Sequence, residues 1–437
     1  MKLYWGMTQR KCPPAKYRSF LVALTVLFSA VASLSGQNSS VNINTSKTEK
    51  YRLVWFEDPT TTATFVWNQL EGDPATLYYG LKNEGRNKSK YTERKEVDRV
   101  VEYDGMRNCM VTLGNLKPDS WYYMCLGDGA GVSRLFYFRT APKLPKSFTF
   151  ICGGDSRNFR DIRQAANTMC RKLSPLFVAF TGDMINHDSA EGWNDWLDDW
   201  QLTISDSGQL LPIVPHRGNH ESRPESIPSH FGTSKDSYGA FNIGSGLFRY
   251  YILNSEIPAD GSQGNWLRSD LEKNGQGITH LVAGYHKPMR PHTSGKALGR
   301  NSYKWAETFY RAGFDLIMES DSHVMKRTLP LKPFTGGGED FKAAPNDPNA
   351  TVYLGEGCWG APLRRADVNY SWTVGTAAFN GFDWLHVTPG AIFDKTVKVG
   401  NVAQVGEVNP ENPYRNPKGL ELWAPNGGDK VLRIPAD

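Results

Sequence analysis

The sequence predicts a multidomain chain, an all-β sandwich followed by an α/β domain of two sheets flanked by helices. Residues 51–142 carry short runs alternating apolar and polar at period two, broken by Gly, Pro, Asn and Asp. From Phe148 onward, short apolar runs alternate instead with longer helical stretches. Short polar blocks follow several of those apolar runs, where strands of an α/β domain end and chemistry collects.

Taken in order, residues 1–32 read as a signal peptide. Lys2, Arg10, Lys11, Lys16 and Arg18 form the basic region, Phe20 to Phe28 the apolar run, and Ala30-Val31-Ala32 the small-residue cleavage site. The run is shorter than the ~20 residues a membrane helix needs, so a retained anchor is the lesser alternative. The mature protein is therefore expected to be secreted, periplasmic or cell-surface, with no membrane span after signal removal. Residues 33–50 are a polar linker.

Residues 51–143 are the sandwich, with strands at Ala63–Trp67, Thr76–Tyr79, Met110–Leu113, Trp121–Met124 and Leu135–Phe138. About seven such strands in ~90 residues fit that architecture. Residues 144–437 form the α/β domain and a C-terminal extension. Its strand candidates are Phe148–Ile151, Leu176–Phe180, Ile213–Val214, Tyr250–Leu253, Leu281–Ala283, Leu316–Met318 and Val352–Leu354. Helices are expected over Arg160–Leu173, Trp193–Trp200 and Tyr303–Ala312. Trp193, Trp196 and Trp200 share one helical face, and core packing is the preferred reading of that stripe over an aromatic platform. Beyond about Gly390 only short strands are expected.

Composition narrows the class. With 437 residues, 39% hydrophobic and 22% charged, the chain is an ordinary globular protein of two or three domains. The net charge of +5 includes the basic leader, and no dense Lys/Arg run is interleaved with aromatics, so no nucleic-acid partner is expected. The six cysteines lack C-x-x-C spacing, which excludes zinc-ribbon and thioredoxin-like sites. Cys109 and Cys125 lie on neighbouring strands but point to opposite faces, which disfavours a bridge.

The polar blocks are Gly153-Gly154-Asp155-Ser156-Arg157, Gly182-Asp183, Gly218-Asn219-His220-Glu221, Gly284-Tyr285-His286 and Ser320-Asp321-Ser322-His323. Hard cations want oxygen and borderline ones accept imidazole, so Asp155, Asp183, Asn219, His286, Asp321 and His323 form a mixed ligand set. Two ions ~3.5–4 Å apart need a shared ligand, and Asp183 can give one oxygen to each. Such ions acidify a water into a nucleophile near neutral pH. Singly, an Asp after a strand is more often a turn or helix cap; the ordered series favours a metal site.

This series resembles the calcineurin-like metallophosphoesterases, and the preceding sandwich makes purple acid phosphatase-like proteins the nearest group. Leu116–Tyr122 resembles the tyrosine-corner region of fibronectin type III domains, and Phe138–Pro142 their closing strand. The resemblance covers roughly residues 50–360. It implies a first metal on Asp155, Asp183 and His323, and a second on Asp183, Asn219, His286 and Asp321. It also implies two divalent or trivalent ions (Fe, Mn or Zn), a phosphorylated small-molecule substrate, and attack by metal-bound hydroxide. His220 would contact phosphate and assist the leaving group, with catalysis resting on His220 and Asp183. Arg157, Asn219 and His292 are further substrate-binding candidates, Arg157 as a bidentate clamp. Arg364 and Arg365 either approach the mouth or form a surface pair.

Two departures bear on the metals. Purple acid phosphatases have a tyrosine three residues after the second Asp, where this chain has Asn186, so no charge-transfer colour is expected. Their last block is Gly-His-x-His, and here Asp321 replaces the first histidine. An added oxygen donor favours Fe(II) or Mn(II) over Zn(II); the alternative is a weakened or empty second site. The expected function is phosphomonoester hydrolysis. A phosphodiesterase or nucleotide hydrolase, and a surface-binding protein with a degenerate metal site, remain the rivals.

Overall fold

The computed structural model describes residues 44–336 and 338–436. The expected signal peptide and most of the linker lie outside the described residues. The described part is one compact unit.

Period-two alternation forms the strands it predicts. One sheet of the N-terminal half holds β1 (Thr48–Val54), β2 (Ala63–Gln69), β5 (Arg99–Tyr103) and β6 (Met106–Leu113). The other holds β3 (Thr76–Gly80), β4 (Glu93–Lys95), β7 (Trp121–Gly127) and β8 (Phe136–Arg139). Phe65 and Trp67 of the first meet Leu77, Tyr122, Met124, Phe136 and Phe138 of the second in one core. The Tyr122 hydroxyl accepts from the Lys117 amide at 2.8 Å, closing the corner expected at Leu116–Tyr122. Cys109, Cys125, Cys152, Cys170 and Cys358 are all buried and free.

The α/β half is built on β9 (Phe148–Gly153), β10 (Phe177–Phe180) and β11 (Pro212–Pro215), which are parallel. A second sheet runs β12 (Gly239–Ile243), β13 (Phe248–Ile252), β14 (His280–Gly284), β15 (Leu316–Glu319), β19 (Val352–Gly355), β16 (Met325–Thr328) and β20 (Thr373–Ala377). A small hairpin joins β17 (Leu331–Pro333) to β18 (Phe341–Ala343). The inner faces of the two sheets share Phe150, Phe177, Phe241, Phe248 and Tyr250. Phe150 stacks on Phe177 at 4.9 Å, and each fully buried ring contributes roughly 1.5–3 kcal/mol of burial.

Helices cover the outer faces. Helix α1 (Arg160–Leu173) puts Ala166, Met169, Cys170 and Leu173 on the first sheet and stops where Ser174 turns left-handed and donates to the Cys170 carbonyl. Helix α2 (Ala190–Trp200) starts on Ser189, whose hydroxyl accepts from the Gly192 amide. Its three tryptophans are core, as expected, with Trp196 stacked on Trp200 at 5.2 Å. Helix α3 (Ser226–Phe231) sends Ile227 and Phe231 into the same layer. Helices α4 (Ser262–Asp270) and α5 (Ala306–Ala312) cover the second sheet.

Two features were not legible in the sequence. Strand β1 pairs in parallel with β11 (Leu53↔Pro212, Val54↔Ile213), so the sheet of the N-terminal half continues into the α/β half. The 10-stranded order places three further strands outside β9, and then runs β9-β10-β11-β1-β2-β6-β5. The other feature is its far edge, β21 (Gly381–Thr388), β22 (Ala391–Lys398) and β23 (Leu432–Pro435). Strand β21 precedes Gly390 and pairs antiparallel with β9. Asp383 and His386 break its apolar pattern, yet both are buried.

Burial also sets an acid limit. Desolvation pushes His230 down to about 4, and His216 and His386 down to about 3. In this window the unfolded chain binds protons that the fold rejects, so these histidines favour folding above about 6.5, and that contribution falls as pH drops toward 4 and 3. We expect the Tm to fall steadily from pH 7 to pH 4, and His386→Leu to flatten that slope; an equal slope in the variant would remove His386 from the explanation.

Candidate metal centre

Each block begins at a strand end or within three residues of it. Asp155 follows β9, Asp183 follows β10, Asn219 and His220 follow β11, His286 follows β14, and Asp321 and His323 follow β15. Four of these residues have left-handed backbones: Asp155 at φ 60°, Asp183 at 55°, Asp321 at 68° and His323 at 56°. Asp and His tolerate this region better than branched residues, at a cost on the order of 1 kcal/mol each. Cross-links hold the turns: the Asp155 amide donates to the Gly182 carbonyl and the Ser156 amide to the Asp183 carbonyl, both at 3.0 Å.

The side chains converge. One ligand atom from each of Asp155, Asp183, His286 and Asp321 lies within 4.8 Å of the others, and all four residues are buried. His286 Nε2 sits 3.3 Å from Asp183 Oδ1, 3.3 Å from Asn219 Oδ1 and 3.5 Å from Asp321 Oδ1. Its Nδ1 lies 2.9 Å from the Thr181 carbonyl, so the proton belongs there and Nε2 is left for the cluster. His323 repeats this arrangement, with Nδ1 2.8 Å from the Pro362 carbonyl and Nε2 3.1 Å from Asp155 Oδ1. The expected ligands of both metals therefore share one pocket.

That donor set fits cations. Asp183 Oδ2 is buried with no hydrogen-bond partner, although Oδ1 accepts from the His220 amide at 2.8 Å. An orphaned buried carboxylate oxygen costs several kcal/mol unless a cation meets it. Burial opposes protonation of His286, yet the charges of Asp183 and Asp155 outweigh it and raise its pKa well above the usual value. Burial also opposes ionisation of Asp183, and His286 and His220 outweigh it, holding the carboxyl down at about 2. The pocket thus stabilises positive charge where His286, Asp183 and Asp155 meet.

Close packing leaves no room for larger residues. A Cβ on Gly357, itself at φ +77°, would lie 1.8 Å from Asp155 Oδ2. One on Gly218 would lie 2.4 Å from Asp183 Oδ1. Glu221, the last residue of the Gly218–Glu221 block, supplies the scaffold. Its carboxylate accepts from the amides of Asp183 at 2.9 Å, Met184 at 2.8 Å and Gly218 at 2.8 Å. Burial, then the charge of Asp183, pushes the Glu221 carboxyl up to about 7.

The remaining residues separate into rim and interior. Arg157 is half-buried, with Nη1 donating to Asn186 Oδ1 at 2.9 Å and Nε 3.6 Å from Asp183 Oδ2. Asn186 also fixes His220, whose Nδ1 lies 2.6 Å from the Asn186 carbonyl, leaving Nε2 3.8 Å from Asp183 Oδ2. Arg364 reaches the rim, donating to the Asp321 carbonyl at 2.9 Å, while Arg365 is exposed. His292 is a correction. It is fully buried, with Nδ1 2.9 Å from Glu356 Oε1 and Nε2 2.9 Å from Thr373 Oγ1, so both nitrogens are taken and no face is left for substrate.

Two further residues had no sequence signal. Lys296 forms an ion pair with Asp321 Oδ1. Lys326 lies buried between Glu319 and Glu356, pairing with the first and lying 2.9 Å from the second. Glu356 also accepts from the His292 amide at 3.0 Å, and its own carbonyl accepts from the His323 amide at 2.7 Å. This ionic cluster ties the loop after β14 to the loop after β19 beneath the site.

Strand-end carboxylates and imidazoles around a buried oxygen without a hydrogen bond, on two facing sheets, are a donor set suited to a metal-dependent hydrolase. Comparisons with known proteins agree. The N-terminal domain of purple acid phosphatases matches residues 48–140, and the calcineurin-like phosphoesterase family matches residues 148–325. Over residues 148–325 the chain is similar to the calcineurin-like phosphoesterases and over residues 48–140 to the purple acid phosphatases, a likeness that indicates a phosphoric ester hydrolase. Acid phosphatase type 7 of Danio rerio is 24% identical over 336 residues, covering 67% of this chain and 75% of that protein. Purple acid phosphatase 15 of Arabidopsis thaliana is 24% identical over 298 residues, covering 58% of this chain and 56% of that protein. In fold, the chain is similar to purple acid phosphatase PPD1 from Lupinus luteus seeds (TM-score 0.66, 15% identity, 82% of this chain and 73% of that one). It is also similar to PhoD (TM-score 0.59, 11% identity, 92% and 94%).

Proposed function

We propose that the mature chain is an exported phosphoesterase that hydrolyses phosphate monoesters with two metal ions. The observation that carries this reading is the buried set Asp155, Asp183, His286 and Asp321, with Asp183 Oδ2 lacking a hydrogen-bond partner. Asp155, Asp183 and His323 would hold one ion, and Asp183, Asn219, His286 and Asp321 the other. Bound there, Fe, Mn or Zn would supply Lewis acidity to a phosphoryl oxygen and to a water. The basic leader before Ala32 supports export, and among the described residues no helix is long and apolar enough to cross a membrane.

The protein's own groups do the rest. Arg157 is held by Asn186 with its Nε 3.6 Å from Asp183 Oδ2, and its guanidinium would take a phosphoryl oxygen beside the cluster. His220 donates from Nδ1 to the Asn186 carbonyl, so Nε2 faces the cluster, and as an imidazolium with a proton on both nitrogens it would donate from Nε2 to the leaving oxygen or stabilise its charge. Asn219 Oδ1 points at His286 and keeps the second ligand group together. Guanidinium and imidazole at one mouth favour a terminal phosphate, which carries more charge than a diester. Among the described residues Asn186 contacts Arg157, Asn158, His187 and His220, and it offers no phenolate for charge-transfer colour.

A matched pair of substrates tests this reading. With Mn, Fe or Zn added, an aryl phosphate is expected to turn over at least about tenfold faster than the corresponding bis-aryl diester. Equal or reversed rates would assign the site to diesters, and no turnover of either would favour a binding protein with a degenerate centre.

A further inference from the structure

Asp321 adds a third buried carboxylate beside Asp155 and Asp183. Like charges this close, removed from water, repel unless a counter-charge is fixed among them. The structure fixes one. The ammonium of Lys296 pairs with Asp321 Oδ1, the same oxygen that faces His286 Nε2 at 3.5 Å. A carboxylate oxygen has two lone pairs, so Oδ1 can accept from Lys296 and still offer a lone pair to the pocket.

The loop carrying Lys296 is anchored on both sides of it. Ser294 donates from its amide and hydroxyl to the two oxygens of Asp367, each at 2.8 Å. The His292 amide donates to Glu356 at 3.0 Å, and the Gly299 amide to the Met289 carbonyl at 3.1 Å. The Lys296 side chain is only 21% exposed. Asp321 is held from its own side as well, its amide donating to Asp155 Oδ2 at 2.7 Å and its carbonyl accepting from Arg364.

We propose that Lys296 is a positioning residue of the metal centre: it aims Asp321 Oδ1 at the second ion and cancels the charge that this carboxylate adds. The inference rests on the reading of Asp321 as a ligand. The pair Asp321–Lys296 is a neutral oxygen donor, electrically equivalent to the imidazole that the family resemblance places there. The ligand set keeps the charge of two carboxylates, so bound cations retain the positive excess that attracts an anionic phosphate. Sequence comparison at position 321 alone would record a loss of a ligand; the structure records a substitution made by two residues 25 positions apart.

Calorimetric titration of Mn²⁺ into the metal-stripped full chain tests this without relying on turnover. Lys296→Met is expected to weaken the second Mn²⁺ by roughly 10–100-fold, the usual loss when a ligand's hydrogen-bond partner is removed. Lys296→Arg should restore most of it. In an Asp321→His background, adding Lys296→Met should cost nothing or tighten the second ion, because an imidazole needs no cationic partner. An equal loss in both backgrounds, an unchanged or tighter second ion in Lys296→Met alone, or failure of Lys296→Arg to restore binding would overturn the proposal. Asp321→Ala separates the two levels of the reading. If it leaves both Mn²⁺ sites intact, Asp321 is no ligand and the metal assignment itself fails; if it abolishes the second ion while Lys296→Met leaves that ion's affinity unchanged, only the role of Lys296 fails.

Discussion

Asp183→Asn is expected to reduce turnover of an aryl phosphate by at least about a thousandfold, some 4 kcal/mol of transition-state stabilisation, while the far-UV circular dichroism stays unchanged. Asn is nearly isosteric and keeps an oxygen to accept from the His220 amide. The turn does not depend on the side-chain charge, because the Asp183 amide is held by Glu221 and its carbonyl by the Ser156 amide. What the substitution removes is the anionic group of the cluster whose second oxygen is buried without a hydrogen-bond partner. One neutral amide oxygen cannot serve two cations as a carboxylate does. Turnover within tenfold of the parent would remove Asp183 from the shared position.

Lys326→Met is expected to destabilise the fold by roughly 3–5 kcal/mol, because deleting one member of a buried ionic cluster strands the others. Glu319 and Glu356 are both buried, and Lys326 is their shared counter-charge. Burial pulls the lysine pKa down, yet the two glutamates outweigh it and keep it charged. Glu319 also accepts from the Met289 amide at 2.8 Å, so its loss of charge balance reaches the loop that carries Lys296. Chemical denaturation measures the effect. The combination Lys326→Met with Glu319→Gln and Glu356→Gln should recover part of the stability, since no carboxylate is then left unpaired; a single variant as stable as the parent would contradict the cluster's assigned role.

Most of the residues that cluster in the structure were legible because each follows a strand, and strand ends are marked by an apolar run giving way to Gly and polar residues. Helix α1 matched its expected bounds for a related reason, since its apolar spacing reports one buried face. Lys296 and Lys326 escaped because a counter-charge leaves no local pattern: Lys296 lies in an irregular loop, and Lys326 alternates into a strand like any surface lysine. His292 was misread since a histidine close to a ligand block looks the same whether it faces substrate or a buried glutamate. The continuity of β1 with β11 depends on residues some 160 positions apart (Leu53↔Pro212), beyond the reach of local periodicity. Strand β21 was hidden by Asp383 and His386, polar groups held inside a sheet.

Elemental analysis of the purified chain after equilibration with Mn, Fe or Zn and removal of free metal tests the central claim most directly. Two ions per chain are expected, falling to one or fewer in Asp183→Asn. Fewer than one ion per parent chain, or two ions retained by the variant, would contradict a centre built around Asp183.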